Sequence, residues 1–187
     1  MYGSRINITL LLLAFIQFVM IATQGCGRHQ GYQVVESPLT HFAYRPDTQP
    51  GAASLIDLAC LLFFALQGQI DFDSLRHFMA DSAIVARMYQ VAGMQADEKE
   101  IKQVADSAQA KLYRQFLETA SQPVVFRTSW NEAHLTKVHL LEVPGQRLPT
   151  QRLLLQAEAG KHTLRATALC FQLDNRWFIG EDLRYGR

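Results

Sequence analysis

The chain has 187 residues, of which 49% are hydrophobic and 19% are charged, and its formal net charge is +1. This composition is typical of a folded globular domain and excludes the low hydropathy and high net charge of disordered chains. Lysine and arginine are scattered without a basic run, so a nucleic-acid partner is not expected. The length favours one domain with a short appendage.

The first predicted element is an export signal over residues 1–25. Arg5 is its only charged side chain, and a nearly continuous apolar run follows over residues 6–22. A short basic start followed by such a run is typical of a secretory signal peptide. The run is slightly short for a membrane-spanning helix, which needs about 20 residues, and Gln17 interrupts it.

The residues Thr23-Gln24-Gly25-Cys26 come directly after this run. They resemble the lipobox of bacterial lipoproteins, in which a small residue precedes the cysteine that is lipidated and becomes the mature N-terminus. Gly25 and Cys26 fit that pattern, whereas Thr23 and Gln24 depart from it. The resemblance implies that Cys26 carries lipid (palmitate, for example) and that the protein is anchored in the cell envelope, facing the periplasm or the exterior. An uncleaved anchor helix beside Cys26 is the alternative.

Residues 26–50 are rich in glycine and proline and show little periodicity. We therefore interpret them as the lipidated N-terminus and a tether. The remaining residues, 51–187, are expected to form a single domain.

The first half of that domain is predicted to be helical. Residues 52–67 are apolar on every side and indicate a buried helix, in which Ser54 and Asp57 have capping-box spacing. Asp71 or Asp73 is a good N-cap for a short second helix. A third helix is expected to begin at Asp81 or Ser82 and end at Gly93, and the clearest helix covers residues 97–119.

The second half changes to a period of two residues, which indicates strands. Strands are predicted at residues 124–130, 135–143, 152–158, 164–173 and 176–183. The turns between most of them are short, so neighbouring strands must be antiparallel. Helices followed by a meandering sheet predict an α+β fold, with the helices packed on a curved antiparallel sheet of four to five strands.

Two stretches resemble nuclear transport factor 2-like (cystatin-like) domains. Residues 63–71, leading into 75–81, are similar to the opening of those domains, where an apolar helix, a turn and a second short helix ending near an acid follow one another. Residues 173–179 are similar to their closing hairpin, where an aspartate turn precedes a tryptophan strand. The resemblance implies a cone-shaped fold that sometimes encloses a pocket, but it implies no particular reaction.

Several polar residues are candidates for a site. Asp57 lies in an apolar helix and is either a buried base with a raised pKa or a first-turn carboxylate that meets the helix dipole. His77 follows Asp73 by four residues, so a helix would place them on one face, where they could orient an imidazole or help to bind a metal. The alternative is that Asp71 or Asp73 caps the helix and the other residues form an exposed pair. His139 shares the parity of Leu135, which favours a core or pocket-lining position.

The remaining candidates are aromatic residues and thiols. Trp130 and Trp177 are expected either to line a cavity or partner surface or to pack in the core. Cys60 and Cys170 would lie in an oxidising compartment, where they either form a disulfide or remain two small buried hydrophobic residues.

No serine–histidine–aspartate signature, zinc-protease motif, phosphate loop or paired CxxC is present, and no cofactor or metal is expected. The leading interpretation is a non-catalytic, membrane-tethered lipoprotein that binds another envelope protein or a small apolar ligand. One alternative is a scaffold in an envelope-spanning secretion or conjugation machine. The other is an isomerase- or dehydratase-type enzyme, which requires a deep pocket containing Asp57, His77 or His139.

Overall fold

The computed structural model describes residues 31–42 and 49–186 as an α+β fold. The helices are α1 (Leu55–Leu66), α2 (Phe72–Leu75), α3 (Ser82–Val91) and α4 (Glu98–Ser121). The strands are β1 (Tyr32–Glu36), β2 (His134–Glu142), β3 (Thr150–Ala159), β4 (His162–Leu173), β5 (Arg176–Ile179) and β6 (Arg184–Gly186). Tight 3-10 turns occur at Pro38–His41, Arg76–Phe78, Gln122–Phe126 and Trp130–Glu132.

The strands form one open antiparallel sheet in the order β1-β2-β3-β4-β5, and β6 pairs with β4 beside β5. The predicted α+β class and the antiparallel sheet are therefore confirmed. The turn between β4 and β5 is the predicted Asp174-Asn175 pair, with φ angles of 48° and 63°. Positive φ at both central residues is the geometry of a type I′ turn, whose twist suits a two-residue hairpin.

Each α-helix begins at a side chain that caps it. In every case the cap oxygen accepts a hydrogen bond from the backbone N–H three residues later. This N–H has no acceptor within the helix itself, so the cap supplies one. The caps are Ser54, Asp71, Asp81 and Asp97. The helix starts predicted from Ser54, Asp71 and Asp81 are therefore confirmed.

The main hydrophobic cluster contains residues of α1 and of the strands β2, β3, β4 and β5. Helix α1 is buried on most of its surface, as expected for a helix that is apolar all round. On β3 and β4 the buried residues alternate with half-buried ones over most of each strand. Six sheet residues have an exposed fraction of 0%: Val138, Leu153, Leu155, Ala157, Ala166 and Cys170.

Three strand predictions need correction. The strand predicted at residues 176–183 ends at Ile179, and a separate strand, β6, covers Arg184–Gly186, so the sheet has six strands instead of four to five. Residues 124–130 form no strand; they belong to two 3-10 turns and the bend between them. In contrast, Tyr32–Glu36 is a strand paired with β2, although it lies in the segment interpreted as a tether. The boundary at residue 51 is therefore too late, because the sheet already includes residues 32–36.

The predicted signal peptide and Cys26 lie outside the described residues. Within residues 31–42 and 49–186, no helix combines the length and hydropathy that a bilayer span requires.

Candidate functional site

Asp57 takes part in the start of α1. Its backbone N–H donates to Ser54 Oγ at 3.0 Å, and the Ser54 hydroxyl donates to Asp57 Oδ2 at 2.7 Å. The half-buried carboxylate lies in the first turn, where the helix dipole favours negative charge. This geometry is that of the first-turn alternative for Asp57.

His77 lies at an open surface groove of about 550 Å³, together with Asp73, Arg76 and Asp81. Helix α2 ends at Leu75, and His77 belongs to the following 3-10 turn. The Asp73 carboxylate therefore pairs with Arg76 Nε at 3.0 Å, on the exposed surface, instead of with the imidazole. The groove brings these charges together without enclosing them.

His139 is half-buried and lies on the face of β2 opposite Val138 and Leu140, and among the described residues its Nε2 is buried without a hydrogen-bond partner. A register shift between Leu135 and Lys137 changes which alternate positions of β2 are buried. Val138 and Leu140 are buried after the shift. The His139 Nδ1 is 2.6 Å from the Tyr32 hydroxyl on the neighbouring β1. A β-bulge of this kind moves all later side chains to the other face.

The two tryptophans occupy different environments. Trp130 is only 1% exposed, and its indole N–H donates to the Thr119 carbonyl at 3.0 Å. Trp177 is half-buried on β5, where its backbone exchanges hydrogen bonds of 2.8 Å with Ala52. The five pocket candidates therefore lie at a helix cap, an open groove, the outer sheet face, the core and an edge strand.

Cys60 and Cys170 are free, buried thiols, so the structure contains no disulfide between them. Burial raises the pKa of the Cys170 thiol to about 12. Burial, together with the nearby Asp57 charge, raises the pKa of Cys60 to about 12 as well. Because the thiolate is the reactive form, both groups are poor nucleophiles in the folded chain.

The most exposed apolar group in the described chain follows the end of α4. Val124, Val125 and Phe126, here called the apolar tip, have exposed fractions of 68%, 74% and 45%. Pro123, which precedes them in the same 3-10 turn, is buried and fixes the start of the turn. Arg127 ends the turn in the left-handed region with φ of 55°. Exposed apolar clusters of this kind mark interaction surfaces.

A row of aromatic rings connects the apolar tip to the core. Phe126 stacks on Tyr185, with ring centroids 6.3 Å apart and an interplanar angle of 20°. Tyr185 meets Trp130 edge to face at 6.3 Å, and Trp130 meets Phe63 of α1 at 6.4 Å. These contacts hold the base of the tip in a defined place while Val124 and Val125 face solvent. Burial also raises the pKa of Tyr185, which keeps this ring neutral.

Tyr113 and Leu117 add exposed apolar surface on the helix that leads to the tip. They are one turn apart on α4, so they lie on one face of it. Their exposed fractions are 47% and 49%. The Tyr113 ring rests against Phe72, with centroids 4.8 Å apart.

Sequence reasoning missed this surface because it assigned residues 124–130 to a strand. Val-Val-Phe followed by alternating residues has high β-propensity. A useful signal was present in Pro123, which immediately follows a long helix and is well suited to the first position of a new turn.

No group of three or more histidine, cysteine, aspartate or glutamate side chains within residues 31–42 and 49–186 is placed to hold a metal ion. No protein-family model, curated protein or solved structure shows a significant match to the chain.

Proposed function

We propose that the protein is an exported lipoprotein, anchored through Cys26, whose domain binds another protein of the cell envelope without catalysing a reaction. The apolar run over residues 6–22 and the Gly25-Cys26 pair support the anchor. The domain would then face the periplasm or the exterior. The chemistry of the anchor is that of an acyl chain inserted in the bilayer.

The apolar tip is the observation that carries the binding function. Two adjacent valines and a phenylalanine leave a large part of their surface in water, where they contribute little to folding. The aromatic contacts below Phe126 hold the tip in one place, so little conformational entropy would be lost on binding. A rigid apolar projection suits a complementary protein pocket.

The interior supports a protein partner over a small apolar ligand. In the cone-like arrangement that we propose, the helices cover the buried face of a curved sheet, as in nuclear transport factor 2-like domains. A ligand cavity would lie between these layers. The central sheet residues Val138, Leu155 and Ala166 are 0% exposed, so no space that admits water adjoins them, and the surface is the better place for binding.

The experiment compares Val124→Ser/Val125→Ser with Val91→Ser in the full chain. Val91 is an exposed valine (47%) at the end of α3, so it controls for the loss of apolar surface as such. We expect that cross-linking in native membranes captures a defined partner with the unchanged chain and with Val91→Ser, but not with the tip variant. Equal capture by all three would reject the tip as the binding surface.

The anchor is tested separately by the mass of the mature N-terminus purified from membranes. A diacylated or triacylated Cys26 is expected, and Cys26→Ser should lose the acyl mass. An intact Met1 with no acyl group would contradict the lipoprotein and favour the membrane-spanning scaffold.

A further inference from the structure

The two edges of the sheet differ in how their backbone is covered. At the β5 edge, Ala52 and Met79 form bridges to Trp177 and Ile179. At the opposite edge, β1 pairs only with β2, and no other strand of residues 31–42 and 49–186 adjoins it. One edge is thus closed by the chain itself, whereas at the other edge no strand of the described residues pairs with the outward backbone groups of β1.

The hydrogen bonds between β1 and β2 show which backbone groups face outward. The Glu142 N–H donates to the Gly31 carbonyl at 3.0 Å, and the Ser37 N–H donates to the Thr136 carbonyl at 2.8 Å. Because inward and outward groups alternate in an antiparallel pair, the odd-numbered residues of β1 bond to β2. The N–H and C=O groups of Tyr32, Val34 and Glu36 therefore point to the free edge.

β1 lacks three of the features that usually block edge-to-edge pairing. Within Tyr32–Glu36 there is no proline, no lysine and no register shift against β2. Tyr32 and Val34 are 59% and 37% exposed. An exposed edge of this kind is a template for another strand.

We propose that β1 pairs with β1 of a second copy of this chain, antiparallel and about a two-fold axis through Val34. Val34 then lies opposite the second copy's Val34, and Tyr32 lies opposite its Glu36. All three outward-facing residues of each strand find backbone partners in this register. The two sheets become one continuous sheet, with a self-complementary interface as two-fold symmetry requires.

The charge of Glu36 favours this register over the one in which Glu36 lies opposite Val34. Glu36 is the only charged side chain of β1, and it pairs with Lys137 at 2.9 Å. In the register centred on Val34, the two Glu36 residues are four positions apart along the strands, roughly 14 Å. A shift that places Glu36 opposite Val34 brings them to roughly 7 Å, where like charges repel. The centred register also pairs the most residues.

The membrane anchor would strengthen this pairing, and this step alone rests on the proposed function. Five residues separate Cys26 from Tyr32, so β1 begins at most about 20 Å from the lipidated residue. Copies held this close to one leaflet have their β1 edges confined to a thin layer. Such confinement raises the effective concentration at which the β1 edge of one copy meets the β1 edge of another.

The first test uses Val34→Cys in the full chain in native membranes, with a short bismaleimide as the cross-linker. We expect a cross-linked dimer, because the two-fold axis places the introduced thiols opposite each other. Gln90→Cys, at an exposed position of α3, is the matched control and should give little dimer. A Val34→Cys chain that stays monomeric, or a control that cross-links equally, would overturn the proposal.

The second test exchanges charges at the axis. Differently tagged copies that both carry Val34→Lys, or both carry Val34→Glu, should co-isolate about tenfold less than a mixture of the two variants, since directly opposed like charges destabilise paired strands. Val34→Thr keeps the strand preference and should co-isolate like the unchanged chain. Equal recovery in all combinations would contradict an axis through Val34.

The mass of the mature N-terminus, measured in the same samples, shows whether the dimer proposal or the anchor proposal has failed. A lipidated Cys26 without cross-linking at position 34 rejects the dimer and leaves the lipoprotein intact. Cross-linking at position 34 without lipid rejects the lipoprotein and supports the dimer.

Discussion

The inner face of the sheet and the apolar tip contain the same kind of side chain in opposite surroundings. Leu153 and Leu155 are 0% exposed, whereas Val124 and Val125 are 68% and 74% exposed. Burial stabilises the fold by about 25 cal/mol per Å² of apolar surface, so the leucines contribute strongly to folding and the valines contribute little. Exposure therefore separates the apolar residues that stabilise this fold from those that contribute little to it.

The largest contrast is expected in thiol reactivity. In a Cys26→Ser background, Val125→Cys should react with a disulfide reagent at pH 8 about 1000-fold faster than Cys170, because burial shifts the pKa of Cys170 from an ordinary 9.0 to about 12 and so lowers its thiolate fraction. Absorbance kinetics in native buffer measure the rates. Unfolding in guanidinium should remove the difference; comparable rates in the folded chain would refute the contrast.

A slightly smaller contrast is expected in stability. Leu153→Ala should lower the free energy of unfolding by about 2–5 kcal/mol, because it leaves a cavity in a close-packed layer. Val125→Ala should change it by less than about 0.5 kcal/mol, as for most surface substitutions. Chemical denaturation of both variants checks this pair. A large loss for Val125→Ala would mean that the tip belongs to the folding core.

Trp130 connects the two regions, so its substitution tests the link between them. Trp130→Phe keeps an aromatic ring but loses the N–H bond to the Thr119 carbonyl and leaves that buried acceptor unpaired, which should cost about 1–3 kcal/mol. We also expect weaker cross-linking at the tip, because Tyr185 and Phe126 lose their rigid support. Thr119→Ser, which keeps the carbonyl acceptor, is the control for the hydrogen bond. If both the stability and the cross-linking at the tip are unchanged, the contacts of Trp130 do not support the tip.

The smallest effect is expected at the start of α1. Ser54→Ala removes the oxygen that accepts the Asp57 N–H and should lower stability by about 1 kcal/mol. Ser82→Ala is the matched control, because Asp81 rather than Ser82 caps α3. Thermal unfolding followed by circular dichroism distinguishes the two. If Ser82→Ala lowers the stability as much as Ser54→Ala does, the effect comes from losing any polar residue at a helix start and not from losing the cap.

The sequence predicts the parts of this fold that local chemistry determines. The caps at Ser54, Asp71 and Asp81 and the turn at Asp174-Asn175 depend on residues within a few positions of one another. For the same reason, the period-two pattern predicted positions for β3 and β4 that are close to the observed ones.

The remaining features depend on distant partners. Tyr32–Glu36 becomes a strand because β2 pairs with it over five positions, although its sequence neighbours resemble a tether. His139 changes face because of a register shift that no local pattern reveals. The apolar tip has the composition of a strand, but no strand within residues 31–42 and 49–186 pairs with it, so tertiary context decides its structure.

The most direct test of the binding function is a photo-reactive amino acid placed at Val125 of the full chain in the cells that make it. Gln90, exposed on α3 and far from the tip in sequence, is the control position. Light should produce one defined adduct with another protein from position 125 and none from position 90, and Val124→Ser should weaken it. No adduct at position 125, or the same adducts at both positions, would contradict the tip as the docking surface.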